Sequence, residues 1–141
     1  MKRTAEAHWQ GDLKAGKGSL TTATHTLNNT AYSFHSRFEA GQGTNPEELL
    51  AAAHAGCFTM ALSAQLMQAG LTATSLDTVC TISLEKTEGG FEITESHLEL
   101  KAAIPGATRE AFDKAVHAAE TGCPVSKLYK TNITVNAVLE T

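Results

Sequence analysis

Residues 49–67 read LLAAAHAGCFTMALSAQLM, an apolar run with Cys57 near its centre. A helix over this run is apolar on nearly every side, and such helices are buried in a protein core or in a membrane. The run is long enough to span a bilayer, but His54, Gln65 and the many weakly inserting alanines argue against that location. We therefore expect a core helix around which the rest of the chain folds.

The residues at both ends of the run support this helix. Asn45 is a preferred N-cap residue, and Pro46 suits the first helical position. Two carboxylates then follow, and they favour the positive end of the helix dipole. Gly70 stands where a C-terminal cap is expected. The sequence therefore predicts a helix that begins at Pro46 and ends near Gly70.

Strands are predicted on both sides of the helix. Before it, β-compatible residues and alternating apolar residues predict a three-stranded meander over residues 5–10, 19–27 and 32–38. After it, residues 74–86 alternate in the same way, and Gly89-Gly90 turns the chain into a hairpin.

The return strand of that hairpin changes its apolar phase. Phe91 and Ile93 are odd-numbered, whereas Leu98 and Leu100 are even-numbered. A slip of one residue flips every side chain to the other face of a sheet. We therefore predict a β-bulge between Ile93 and Leu98.

The rest of the chain completes an α+β fold. A second amphipathic helix is predicted over residues 108–121, then a short helical turn opened by Cys123, then a last strand over residues 133–139. The element order is β-β-β-α-β-β-α-β, with the long helix at its centre. A chain of 141 residues has the usual length of one domain, so we expect a single domain over residues 1–141.

Composition narrows the class of protein. The net charge of -4 is mild and acidic, which argues against a nucleic-acid partner. Residues 1–9 contain no apolar segment of the kind that a secretory signal needs. The three cysteines lie far apart without a CxxC motif. This usage predicts a cytoplasmic protein with reduced thiols, not a disulfide scaffold.

The central helix also suggests an assembly. One apolar helix with a half-buried sheet on each side is a tight fit for a monomer. Its surface carries many alanines, which permit close helix approach; they are Ala51, Ala52, Ala53, Ala55, Ala61 and Ala64. We therefore expect an intertwined homodimer whose central helices pack together.

The three cysteines differ in their predicted reactivity. Cys80 lies on the apolar face of a strand, where a thiol serves as a small buried hydrophobe. Cys123 opens a helical turn, where the orphan N–H groups lower a thiol pKa. Cys57 is buried in mid-helix, so its pKa should rise unless a cation lies nearby. On these grounds alone Cys123 is favoured over Cys57 as the reactive thiol.

A cation beside Cys57 would lower its pKa, and Arg37 is the best candidate, with Glu47 or Glu48 as its carboxylate.

Two other site chemistries, zinc binding and Cys–His hydrolysis, remain open. His54 and Cys57 are three residues apart and could bind zinc, although no second ligand pair has metal spacing. A Cys–His hydrolase built from the same pair lacks a visible third group or oxyanion donor.

Several strings spread over most of the chain resemble the OsmC/Ohr family of thiol peroxidases, and more closely its osmotically induced OsmC branch. They are AHW at 7–9, SRFE at 36–39, GTNPEEL at 43–49, AHAGCF at 53–58 and GCPVS at 122–126.

This resemblance implies a role for each site residue. Cys57 matches the peroxidatic cysteine of the family and Cys123 the resolving cysteine. Glu47 matches the family's glutamate, with Glu48 as the fallback, and Arg37 matches its arginine. The resemblance further implies an intertwined homodimer that prefers organic hydroperoxides to hydrogen peroxide. It implies no cofactor, and an external dithiol reductant similar to a lipoyl-bearing protein.

The predicted function is therefore a thiol-dependent peroxidase of oxidative or osmotic stress defence. Cys57 would form a sulfenic acid, Cys123 would condense with it to a disulfide, and an external thiol would reduce that disulfide. The alternative is a redox sensor or binding protein that uses the same disulfide without efficient turnover. A membrane partner is not expected.

One spacing constrains how the site is assembled. Glu47 and Cys57 are ten residues apart, which is about 15 Å along a straight helix. They cannot easily share one arginine within a single helix. We therefore predict that Arg37 and Glu47 serve Cys57 of the other subunit, or that the helix is broken between them.

Overall fold

The computed structural model describes residues 1–128. The last predicted strand, over residues 133–139, lies outside the described residues. The described residues form two compact units, one of residues 1–52 and 81–97, the other of residues 53–80 and 98–128. The prediction of one domain over residues 1–141 stays a prediction.

An antiparallel sheet opens the first unit. It contains β1 (Ala5–Gln10), β2 (Lys17–Thr22) and β3 (Thr30–Tyr32), in that spatial order. The meander and the bounds of β1 are as predicted. β2 ends earlier than predicted because the Thr22 N–H donates to the carbonyl oxygen of Leu27 at 2.9 Å, which closes a loop.

The third predicted strand is wrong over most of its length. Its later part forms a short helix, α1 (Phe34–Phe38). A capping box starts this helix: the Ser36 N–H donates to Ser33 Oγ at 3.1 Å, and the Ser33 N–H donates to Ser36 Oγ at 2.8 Å. Phe34 and Phe38 share a face in either structure because a spacing of four fits both periods. The apolar alternation therefore could not exclude a helix.

The central helix is α2 (Pro46–Gln68). Asn45 Oδ1 accepts a first-turn backbone N–H at 2.8 Å, as an N-cap does. Gly70 adopts a φ of 73°, and the Leu71 N–H donates to the carbonyl oxygen of Leu66 at 2.8 Å. Both features belong to a Schellman cap, so the predicted start and the glycine cap are confirmed.

The predicted all-round burial of α2 is wrong for a single protomer. Only every fourth side chain is buried: His54, Phe58, Leu62 and Leu66. Met60 and Met67 are 77% and 73% exposed. By length and composition α2 is able to cross a membrane, yet its buried stripe packs into a protein core. Among the described residues, the helix thus keeps an exposed apolar face that includes Met60 and Met67.

A hairpin follows the central helix. It pairs β4 (Ser75–Thr87) with β5 (Gly90–Ala103), and the turn lies where it was predicted. The even-numbered side chains of β4 from Leu76 to Leu84, including Cys80, are half-buried. Phe91 and Ile93 are 56% and 38% exposed, so the odd-numbered apolar residues of β5 lie largely in solvent. The bulge stays a prediction.

Two helices complete the second unit. Thr108 caps α3 (Arg109–Gly122), and Cys123 joins it directly to α4 (Pro124–Leu128). The second helix and the short turn are thus confirmed. The core of this unit is formed by Phe58, Leu62, Leu66, Ala115, Ala119 and Cys123. Over the described residues the α+β class and order are confirmed, with α1 in addition.

Candidate active site

Two thiols face each other in the second unit. Cys57 lies in the middle of α2, and Cys123 lies at the junction of α3 and α4. Their Sγ atoms are 2.9 Å apart and unbonded. An S–S bond measures about 2.05 Å, so a disulfide needs a movement of less than about 1 Å. Cys57 is half-buried, whereas Cys123 is fully buried.

The two thiols differ in acidity. Burial raises the pKa of Cys57 above its usual value, and the hydrogen bond to Cys123 raises it further. Burial alone would also raise the pKa of Cys123, but its hydrogen bonds to Cys57, to the Val125 and Ser126 backbone and to the Ser126 side chain lower it overall. Cys123 is therefore the more acidic thiol of the pair, in the direction that the sequence predicted.

A buried histidine lies on the same helix as Cys57. His54 is buried on α2, one helical turn before Cys57, and its Nε2 lies 3.1 Å from Ser126 Oγ. Burial lowers the pKa of His54. This geometry agrees with a satisfied core histidine. Ser126 was not singled out from the sequence, although its place three residues after Cys123 at the start of a helical turn was a usable signal.

The described residues provide no set of ligands for the zinc alternative. Among residues 1–128, no group of three or more histidine, cysteine, aspartate or glutamate side chains is arranged to hold a metal ion. His54 and Cys57 do share a helix face, but their described partners are Ser126 and Cys123.

Arg37 and Glu47 form a second constellation, within the first unit. Two guanidinium nitrogens of Arg37 donate hydrogen bonds to the Glu47 carboxylate. Nη2 lies 2.7 Å and Nε 3.1 Å from Oε1. Glu48 is engaged elsewhere, because its Oε2 accepts the Thr44 hydroxyl at 2.8 Å. The arginine thus pairs with Glu47 and not with the fallback, Glu48. The Arg37 side chain is 38% exposed and that of Glu47 11%.

The central helix runs unbroken through Glu47 and Cys57. The ten residues between them correspond to about 15 Å along the helix axis. A broken helix, which was one of the two predicted ways to bring Glu47 to a Cys57, is therefore ruled out. Each predicted pair is formed within its own unit: thiol with thiol, and arginine with carboxylate.

Known proteins are similar to this chain in sequence and in fold. The family profile described as OsmC-like protein matches residues 39–138. Peroxiredoxin OsmC of Escherichia coli is 47% identical over 99% of this chain and 98% of its own length. An organic hydroperoxide resistance protein of Xanthomonas axonopodis is 35% identical over 70% of this chain and 68% of its own.

Solved structures agree. The organic hydroperoxide resistance protein OhrB of Bacillus subtilis superposes with a TM-score of 0.66 at 29% identity, covering 92% of each chain. An OsmC-like protein from Vibrio cholerae, at 15% identity, shares the fold with a TM-score of 0.70 over 90% of this chain and 92% of its own. The profile match, the 47% identity over nearly the full length and the shared fold agree. This chain therefore belongs to the OsmC-like protein family.

Proposed function

We propose that this protein is a thiol-dependent peroxidase that reduces organic hydroperoxides to alcohols and defends against oxidative stress. The observation that carries the proposal is the Cys57–Cys123 pair, with its sulfur atoms 2.9 Å apart. Relatives called peroxiredoxin and organic hydroperoxide resistance protein support the same chemistry.

The first step takes place at Cys57. Its thiolate attacks the distal oxygen of the hydroperoxide, an S–O bond forms and the O–O bond breaks. The alkoxide leaves and takes a proton to become the alcohol, while Cys57 becomes a sulfenic acid. Access supports this assignment, because Cys57 is half-buried and Cys123 is fully buried.

The second step joins the two cysteines. The Cys123 sulfur attacks the Cys57 sulfur, an S–S bond forms, and hydroxide leaves and is protonated to water. The disulfide protects Cys57 from further oxidation. An external dithiol, such as a lipoyl-bearing protein, then restores both thiols by exchange. This cycle uses a thiol reductant and no prosthetic cofactor.

Cys57 needs a cation to become a thiolate. Among the described residues of one protomer, no cation is among the groups that shift its pKa. We place that cation on a second copy of the chain: in a homodimer, the Arg37–Glu47 pair of one protomer serves Cys57 of the other. The uncovered apolar face of α2, with Met60 and Met67, supports packing against a second copy.

Apolar side chains lie beside the same arginine. Phe34, Phe38 and Trp9 line a small cavity together with Arg37. The Arg37 guanidinium lies 5.3 Å from the centre of the Phe38 ring. A hydroperoxide with an alkyl or fatty-acid chain gains from such a lining, whereas hydrogen peroxide has no apolar part to bury. Organic hydroperoxides are therefore the proposed substrates.

Location follows from the redox chemistry. A cycle that starts from two reduced thiols requires a reducing compartment, which supports the cytoplasm.

Peroxide consumption with an added dithiol tests the proposal. We expect wild-type protein to turn over cumene hydroperoxide many times, Cys57→Ser to lose turnover by more than a thousandfold, and Cys123→Ser to lose sustained turnover with dithiol. Cys80→Ser is the matched control and should keep the wild-type rate. A full rate in Cys57→Ser contradicts the assigned role, and a single oxidation without turnover supports the redox-sensor alternative.

A further inference from the structure

The peroxidase cycle makes no use of the lysines that lie near the cavity of Arg37. We propose that Lys14 binds the carboxylate of a fatty-acid hydroperoxide whose reactive end lies at Arg37. The acyl chain between these two ends lies along the rings of Phe34 and Phe38. Lys14 thereby favours free fatty acids over their neutral esters. The inference deepens the proposed function and rests on it for the hydroperoxide at Arg37.

Two neighbouring cavities of the first unit form this site. The apolar cavity has a volume of about 160 Å³ and contains Arg37 among mostly aromatic and apolar side chains. The basic cavity has a volume of about 320 Å³ and contains Lys14 and Lys17. Tyr32 and Ser33 line both cavities, so the two share a wall. Ligand pockets usually measure about 300–1,000 Å³, so a long ligand needs more room than the apolar cavity alone provides.

Two cations lie over two neighbouring rings of the site. Lys14 Nζ lies 5.9 Å from the centre of the Phe34 ring. The guanidinium carbon of Arg37 lies 5.3 Å from the centre of the Phe38 ring, and the two ring centres are 5.0 Å apart. These distances limit the separation of the two cations to about 16 Å, which roughly a dozen carbons span when an extended chain advances about 3.6 Å for every three bonds. Mid-chain hydroperoxides of long fatty acids fit this limit.

The turn between β1 and β2 positions Lys14 beside the apolar cavity. Within this turn, Asp12 Oδ1 accepts the Ala15 N–H at 2.7 Å. Trp9, which lines the apolar cavity, directs its Nε1–H to the carbonyl oxygens of Gly11 at 3.2 Å and Asp12 at 3.3 Å. The wall of the apolar cavity and the turn that carries Lys14 are therefore tied together.

The lysines of the basic cavity keep their positive charge available. Glu39 pairs with His35, which lines the same cavity. Among residues 1–128, no carboxylate forms an ion pair with Lys14 or Lys17. An anion in the basic cavity therefore meets two ammonium groups, and their attraction favours a carboxylate over a neutral ester.

The other end of the site is already neutralised. The Arg37 guanidinium donates two hydrogen bonds to the Glu47 carboxylate, at 2.7 Å and 3.1 Å. A ligand carboxylate at Arg37 would lie close to the negative charge of Glu47, whereas the neutral hydroperoxide group would not be repelled. The charges therefore set the orientation of the ligand, with its carboxylate at Lys14 and its hydroperoxide at Arg37.

Equilibrium binding tests the carboxylate site without peroxidase activity. Trp9 is the only tryptophan of the chain and lines the apolar cavity, so its fluorescence reports a ligand there. Lauric acid and methyl laurate share one acyl chain, differ in charge and are not hydroperoxides. At low salt we expect wild-type protein to bind the acid about fivefold more tightly than the ester, as one partly exposed ion pair implies. Added salt should reduce this preference.

Three lysine variants identify the group that binds the carboxylate. Lys14→Met keeps the length of the side chain and removes its charge, so it should lose most of the preference for the acid. Lys14→Arg keeps a cation and should retain the preference. Lys101→Met removes an exposed charge in the second unit and is the matched control. Equal binding of acid and ester by wild type, no binding of either, or an unchanged preference in Lys14→Met overturns the proposal.

Turnover extends the test to the reaction. A hydroperoxide of linoleic acid and its methyl ester are compared with the same dithiol. The ratio of kcat/KM for the acid to kcat/KM for the ester should fall about fivefold in Lys14→Met, mainly through a higher KM for the acid. An unchanged ratio overturns the selection by Lys14. If neither hydroperoxide is reduced while lauric acid still binds through Lys14, the proposed function fails and the carboxylate site stands.

Discussion

At the scale of single residues, the thiol pair separates acidity from access. Cys123 has the lowered pKa but is fully buried, and Cys57 has the raised pKa but is half-buried. A peroxidatic cysteine needs both properties. The described residues supply them on different sulfur atoms, and this division is the reason for the cation that we propose at Cys57.

A conservative change at Arg37 tests that requirement. Arg37→Lys keeps the charge and removes the fork that grips Glu47 with two nitrogens, so hydroperoxide turnover should fall at least tenfold. The free energy of unfolding should change by less than about 1 kcal/mol, because the pair is partly exposed. Arg109→Lys, in the exposed Arg109–Asp113 pair, is the control and should keep full activity. Equal turnover in both variants contradicts the role of Arg37.

Burial of His54 makes stability depend on pH. Because its folded pKa is lowered, the unfolded state binds more protons than the folded state at acidic pH. Stability is therefore present above the unfolded pKa of about 6.5 and falls as pH decreases below it.

Urea unfolding at several pH values measures this dependence. His54→Gln should show a shallower loss of stability between about pH 7 and pH 5 than wild type, because glutamine does not titrate. The exposed His117→Gln is the control and should keep the wild-type slope. A His54→Gln slope as steep as that of wild type would mean that the burial of His54 does not set the pH dependence.

At the scale of elements, the ends of α2 were more predictable than its surroundings. Asn45, Pro46 and Gly70 act through local backbone chemistry, which a single sequence displays. The apolar pattern of residues 32–38 does not distinguish α1 from a strand, because Phe34 and Phe38 fit both periods, although Ser33 and Ser36 form a readable capping box.

Contacts between residues that are distant in sequence cannot be predicted from local sequence patterns. Nothing local to His54 indicates that Ser126 will lie against it, since α4 is brought there by packing of the core. Composition overstates the burial of α2 for a related reason: it shows that a face is apolar, but not whether the same chain covers that face. Family resemblance, and not residue spacing, predicts the Cys57–Cys123 pair.

The glycine cap offers a stability test at this scale. Gly70 has a φ of 73°, a conformation that alanine adopts at a cost of about 1 kcal/mol or more. Gly70→Ala should lower the free energy of unfolding by that amount in chemical denaturation. Gly122 lies inside α3 without a positive φ, so Gly122→Ala should be neutral or stabilising by up to about 1 kcal/mol. Equal losses in the two variants contradict the cap.

At the scale of the whole molecule, the exposed apolar face of α2 and the need for a cation at Cys57 both support the proposed homodimer. In that homodimer, Met60 and Met67 are covered and the Arg37 of one protomer reaches the Cys57 of the other. Sedimentation should give about 30 kDa, twice the 14.9 kDa of the chain. Met60→Glu should lower that mass toward one chain, and the exposed His117→Glu on α3 should leave it unchanged. A monomeric wild-type mass contradicts the homodimer.

Mixing two inactive variants tests the shared site directly. If sites are shared, a dimer of one Cys57→Ser chain and one Arg37→Ala chain has one site with both residues intact. After unfolding and refolding an equal mixture, about a quarter of wild-type turnover should return, because half of the dimers are mixed and half of their sites are complete. No recovery in a mixture with confirmed mixed dimers means that each chain uses its own arginine.

The 2.9 Å approach of the two sulfur atoms has a consequence for survival under a sudden dose of oxidant. A sulfenic acid is lost irreversibly when a second hydroperoxide arrives before the resolving thiol does. Here the partner stands in place before the first peroxide arrives, held by α3 and α4 against the same core, so capture does not wait for a segment to unfold. The protein is thereby suited to remain active at the peak of a burst, when the supply of hydroperoxide is greatest.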